Sequence, residues 1–149
     1  MTEKDYLKQI ELLQLKIDQW KREAERLREE AFSLGSPGFD ADPVQVSKTS
    51  SALERNVIKY LDMIAKIEKL ITRYSQKRNR IVKQIHDLGN VQYMQVLYLR
   101  YVECKRLKAV AAEMSLSEDW TRHLLKQAEK AFGNRHKRKS KNDTKKPVE

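Results

Sequence analysis

The chain of 149 residues has one cysteine, Cys104, so no internal disulfide can form, and a reduced cytoplasmic setting is expected. Four glycines and three prolines are too few for the many tight turns of a sandwich or barrel. No apolar run approaches the roughly 20 residues of a membrane span. Met1, Thr2, Glu3, Lys4 and Asp5 lack the basic start and apolar stretch of a secretion signal, so no membrane partner is expected. Nothing resembles a nucleophile paired with a base, a phosphate loop or a pair of catalytic carboxylates. An enzyme is therefore not expected. His86, His123 and His136 fall in different elements, and no Cys/His cluster has zinc spacing, so neither metal nor cofactor is expected.

What is abundant is charge. Charged residues make up 35% of the chain and the formal net charge is +10. The first figure favours long solvent-facing helices; the second favours nucleic acid or another anionic surface. An all-α fold follows.

Ile10, Leu13, Ile17, Trp20, Ala24, Leu27, Ala31 and Leu34 alternate spacings of three and four, the heptad seam of one long helix over about 3–34. Gly35, Ser36, Pro37 and Gly38 end it. A connector without helical period fills 35–50. Ser51 and Glu54 then form a capping box for a second helix over about 51–88. Its seam is Leu53, Val57, Tyr60, Ile64, Ile67, Ile71, Tyr74, Ile81, Ile85 and Leu88, interrupted by Arg78, whose long stem is expected to reach solvent. Gly89 closes the helix. Two long helices joined this way form an antiparallel hairpin, a coiled-coil-like arm over 1–88. One buried seam leaves the flanks bare, so the arm should either self-associate or pack on the remainder of the chain. Arg73, Lys77, Arg78, Arg80 and Lys83 make the end of the second helix basic, fit for a solvated face or for approach to phosphate.

The stretch 90–132 has a different rhythm. Asn90 can cap a helix running to about Val102, with Val91, Met94, Leu97, Tyr98 and Tyr101 apolar. Glu103, Cys104 and Lys105 break it. A short helix from about Arg106 to Met114 buries Leu107, Val110, Ala111 and Met114. Ser115 and Leu116 make a turn, with Leu116 as its plug, and Ser117 caps a last helix whose apolar face is Thr121, Leu125, Ala128 and Phe132. Short helix, tight turn and capped helix are the layout of a helix-turn-helix, whose second helix offers its outer N-terminal face to DNA. That face holds Glu118, Asp119, Trp120, Arg122, His123, Lys126 and Gln127. Arg122 and Lys126 can reach phosphates or guanine acceptors. Ser117 and the free N–H groups behind it can hold a phosphate. Glu118 and Asp119 either accept from a cytosine amino group or only complement the helix dipole. Trp120 either packs at the module's base or touches the DNA backbone. The stretch 133–149 has no apolar period and is expected to be a disordered basic tail, with Arg135, Lys137 and Arg138 as accessory phosphate contacts.

The run Leu-Arg-Tyr-Val-Glu at 99–103, Val-Ala-Ala-Glu-Met at 110–114, Leu-Ser-Glu at 116–118 and Arg122 resembles region 4 of bacterial sigma factors, the part that reads a promoter element. The heptad-rich arm followed by this module is similar in layout to sigma-region-4-like phage regulators of the ArpU and RinA type. The resemblance implies a transcriptional regulator of phage late or packaging genes that binds double-stranded DNA and has host RNA polymerase as a further partner; Arg106 is expected among the DNA-binding residues as well. The chain departs from the family pattern at four places. Cys104 and Ser115 stand where the turns usually carry glycine, Arg106 where a Ser or Thr cap is usual, and Thr121 where an aliphatic residue is buried. Two other readings fit the same residues. One is a DNA-packaging protein of the small-terminase kind. The other is a coiled-coil protein that uses the helix-turn-helix only to dock on polymerase or another regulator.

Overall fold

A computed structural model describes the backbone of residues 1–34 and 43–143, and the side chains of residues 1–31 and 51–137. Helices α1 (Glu3–Leu7), α2 (Gln9–Leu34), α3 (Pro43–His86), α4 (Val91–Leu97), α5 (Leu107–Met114) and α6 (Glu118–Asp143) make an all-α chain, with no strand among the described residues. It divides into two compact units, 13–74 and a second made of 1–12 with 75–149. The division cuts α2 and α3 instead of falling at Gly89. None of the described helices is long and apolar enough to cross a membrane.

In the 13–74 unit the α2 seam is buried at Leu13, Ile17, Ala24 and Leu27. Trp20 breaks the expectation: it is 36% exposed, with the Lys66 ammonium 5.4 Å from its ring centre. On the α3 seam within this unit Ile67 is buried, Leu53, Tyr60, Ile64 and Tyr74 are half-buried, and Val57 and Ile71 are about 40% exposed. Trp20 meets Lys66, while Arg28 and Ala31 share a cleft with Leu53, Val57 and Tyr60. Later positions of α2 thus meet earlier positions of α3. The expected capping box at Ser51 is overturned. Ser51 lies inside α3, which begins at Pro43, because proline suits a first helical turn: its fixed φ is helical, and the N–H it lacks would have no partner there. Residues 43–50 therefore belong to the helix and not to a connector. The stop at Gly35 to Gly38 and the side chain of Leu34 lie outside the described residues.

The other unit begins with a helix that the seam pattern runs straight through. A single turn at Lys8 separates α1 from α2. Thr2 and Asp5 form the true capping box of the N-terminus: the Thr2 hydroxyl accepts from the Asp5 N–H, and the Asp5 carboxylate accepts from the Thr2 N–H. Leu7 and Ile10 are buried here, as are Ile81 and Ile85 of α3, Val96 and Leu97 of α4, Val110 and Ala111 of α5, and Thr121, Leu124, Ala128 and Phe132 of α6. The buried leucine of α6 is therefore Leu124, with Leu125 only half-buried. Both lie within one turn of the Thr121–Ala128 face, so spacing alone does not choose between them. Leu116, expected as a buried plug, is also half-buried.

Asn90 caps α4 as the sequence predicts, its Oδ1 accepting from the Tyr93 N–H at 3.1 Å, and Gly89 before it has φ +74°. The expected single helix to Val102 changes character at Tyr98. One π-helical turn, Tyr98–Val102, is closed by the Glu103 N–H donating to the Tyr98 carbonyl at 3.0 Å. It buries Leu99, Tyr101 and Val102 together. The α6 helix does not stop at Gly133 but continues to Asp143, so residues 133–143 are helical and not aperiodic. Gly133 is buried where α1 crosses α6, and a Cβ there would collide with the Glu3 side chain.

Candidate nucleic-acid interface

Two tight turns frame α5. The first holds Cys104 at φ 54° and the second Ser115 at φ 55°, and these are the only left-handed non-glycine residues among those described. They are also the two positions where glycine is usual in the region-4 pattern. At the second turn the Ser115 N–H donates to Ala112 and the Leu116 N–H to Ala111, which ends α5. Two residues later Ser117 opens α6: its Oγ accepts from the Trp120 N–H at 3.2 Å. Thr121 is fully buried although polar, and its hydroxyl is satisfied by donating to the Ser117 carbonyl at 2.8 Å. Its burial fixes the roll of α6 and turns the neighbouring positions outward.

Glu118, Asp119, Trp120, Arg122, His123, Lys126 and Gln127 are all exposed. Arg122 Nη1 donates to Asp119 Oδ1 at 3.1 Å, which spreads the guanidinium along the first turn. This exposed pair is weak, so Arg122 can exchange its partner at little cost. Trp120 is 50% exposed, with its ring 5.6 Å from His123, and Gln127 Nε2 lies 3.1 Å from His123 Nε2. Of the two expectations for Trp120, packing at the base of the module is therefore not what is observed. Arg106 is the cap residue of α5 with an extended backbone, an exposed side chain and no capping hydrogen bond. Beside it Lys105 is held by Glu113 and by Glu103 at 3.0 Å, and these contacts raise its pKa, Glu113 most.

Further along α6 the expected basic residues separate. Lys137 comes back to the side of Lys126 after three helical turns. Lys126, Lys130, Asn134 and Lys137 line one shallow cleft with Thr2, Glu3, Lys4 and Glu129. Arg135 is half a turn away, in a cleft with Gln84, Asp87, Leu88, Phe132 and His136. The side chain of Arg138 lies outside the described residues. The sequence reading missed Lys130 and Lys4; the four-residue step from Lys126 to Lys130 was the available signal for the first.

The cleft is fixed by α1. Tyr6 packs against both Phe132 and His136, with centroids 6.0 and 5.1 Å away, while those two rings lie 6.1 Å from each other; the Tyr6 hydroxyl donates to Gln84 Oε1 at 2.7 Å. Lys4 lies 3.7 Å from Glu129 and Lys137 lies 3.3 Å from Glu3. Glu3 is held below the usual carboxylate range by its own backbone N–H and by Lys137. Glu129 is buried, and its Oε1 accepts from the Tyr101 hydroxyl. Burial, then this bond, pushes the Tyr101 pKa well above the tyrosine range. Arg78, expected to reach solvent, is half-buried and donates to the Tyr98 hydroxyl at 3.4 Å.

Among the described residues no group of three or more His, Cys, Asp or Glu is placed to hold a metal ion. The chain matches no protein family, no curated protein and no solved structure.

Proposed function

We propose that the chain is a sequence-specific double-stranded-DNA-binding regulator of transcription, in which α5, the Ser115 turn and α6 act as a helix-turn-helix and 13–74 acts as a hairpin arm. The observation that carries the reading is the left-handed turn at Ser115 set directly before a Ser117-capped helix whose exposed N-terminal face holds Arg122 and Lys126. In this reading Arg122 meets base edges in the major groove. Ser117 and the first N–H groups of α6 hold a phosphate, and Lys126, Lys130 and Lys137 follow the backbone beyond it. Trp120 and His123 present an exposed ring pair to the groove wall. The resemblance of the module to sigma region 4 supports a promoter as the target and host RNA polymerase as a second partner. The setting in phage late or packaging genes, inside a host cytoplasm, rests on that resemblance alone.

The test is selection of bound sequences from random DNA, followed by footprinting and equilibrium binding of the wild type, Arg122→Ala and Lys126→Ala. Arg122→Ala is expected to cost about 1–3 kcal/mol on the selected site and much less on random DNA. Lys126→Ala is expected to weaken both alike and to make the salt dependence shallower. Equal binding by all three proteins overturns the reading and favours docking on a protein.

A further inference from the structure

The 13–74 unit leaves a second apolar stripe bare. Ile58 and Leu61 of α3 are 58% and 59% exposed, and Ala65 is exposed as well. Their spacing of three and then four is that of a heptad seam. The stripe is separate from the seam of Leu53, Val57, Tyr60, Ile64 and Ile67. At 3.6 residues per turn it lies roughly a third of a turn around the helix from that seam. A helix in a four-helix bundle has two such adjacent faces, one for each neighbour. The first seam does not cover this end either: Val57 is 41% exposed and lines an open cleft with Ala31, Leu53 and Tyr60.

The edge of the stripe indicates what covers it. Arg55 and Asp62 lie one heptad apart on the same edge, next to Ile58 and Leu61. Both are exposed. Arg55 Nε donates to the Ser51 carbonyl of its own helix at 3.3 Å, and Asp62 has no ion-pair partner among the described residues.

We propose that this stripe is a homodimer interface on which a second copy of the chain lies antiparallel. A two-fold axis between Ile58 and Leu61 sets Ile58 against Leu61 of the partner subunit and brings Arg55 near Asp62 of the partner subunit, and the reverse pairs follow by symmetry. Opposite charges one heptad apart on one edge satisfy each other only in that direction. A parallel pair would put Asp62 near Val57 of the partner subunit and form no charge pair. The second copy is therefore the occupant that matches both the apolar and the charged positions. Ile58, Leu61 and Ala65 from each copy make a small contact, so the dimer is weak and concentration-dependent. The inference does not depend on DNA binding.

Sedimentation of the full chain from micromolar to millimolar concentration tests it, with circular dichroism to follow helix content. The wild type is expected to pass from monomer to dimer. Leu61→Glu, at an exposed position, is expected to stay monomeric with unchanged helix content. Arg55→Asp is expected to raise the dissociation constant about tenfold, and the double variant Arg55→Asp/Asp62→Arg to restore it, because the exchanged pair is still complementary. A wild type that stays monomeric throughout overturns the proposal. So does a dimer indifferent to Leu61→Glu, or a double variant no tighter than Arg55→Asp alone.

Discussion

Replacing Ser115 with glycine should make the protein more stable, although the change removes atoms and adds no contact. A residue with a Cβ costs roughly 1–2 kcal/mol in the left-handed region, because the Cβ crowds the carbonyl oxygen. Ser115 sits there at φ 55°. Its side chain is exposed and makes no hydrogen bond among the described residues, so its loss forfeits little. Glycine removes the crowding but gives up more backbone freedom on folding, roughly 0.5–1 kcal/mol. The balance is a gain of about 0.5–1 kcal/mol, which raises Tm by about 1–4 °C for a chain of this size. Thermal and urea unfolding followed by circular dichroism would measure it, with Ser115→Ala as the control that keeps the Cβ. Ser115→Ala should unfold at or below the wild type, and Ser115→Val well below it. A Ser115→Gly protein no more stable than Ser115→Ala would refute the argument. Cys104→Gly should gain less despite the matching φ of 54°, because it also removes a half-buried thiol that donates to the Tyr101 carbonyl at 3.5 Å.

Tyr101→Phe leaves the buried Glu129 carboxylate short of a donor and should cost about 1–3 kcal/mol in urea unfolding. The Tyr101 pKa is raised by burial and then by the Glu129 bond, so its contribution is whole below the ordinary tyrosine pKa and is lost as pH climbs above it. Wild-type stability should therefore fall more steeply than that of Tyr101→Phe in alkali, and parallel curves would contradict the assignment. Burial, and next the nearby Glu11, push the Cys104 thiol pKa up. Since the thiolate is the nucleophile, iodoacetamide at neutral pH should label the folded chain more slowly than the urea-unfolded one. Equal rates would place the thiol in open water.

Local signals in the sequence are legible where one residue type has one physical use. Asn90 and Ser117 cap their helices because a short oxygen-bearing side chain reaches a free N–H, and Gly89 takes the positive φ its position demands. The outward face of α6 was legible because Thr121, Ala128 and Phe132 fixed its roll. Long-range choices were not legible. The Leu124–Leu125 choice depends on which neighbour packs there, and the Lys66 ammonium over the half-exposed Trp20 ring comes from another helix. The seam that began at Ile10 concealed the break at Lys8, although Thr2 and Asp5 already spelled a capping box. The loss of apolar period after Phe132 suggested a helix end at Gly133, but α6 runs on to Asp143, and Gly133 is a position where a Cβ would meet the Glu3 side chain. The π turn at Tyr98 has no sequence signature at all; it follows from burying Leu99, Tyr101 and Val102 at once.

The unit that carries α6 is assembled from the two ends of the chain, with the whole of 13–74 lying between them in sequence. Synthesis runs from the N-terminus, so α1 leaves the ribosome well before its docking surface on α6. Tyr6 has no Phe132 or His136 to pack against until α6 has been made. The 13–74 segment has all its internal contacts available far earlier and can fold while α1 still waits. Docking of α1 then closes a very long loop, whose entropic cost grows only slowly with its length. A nascent chain interrupted before α6 carries a formed arm and an unfinished head. Synthesis of α6 thus completes two things at the same moment: that helix itself and the surface on which α1 docks.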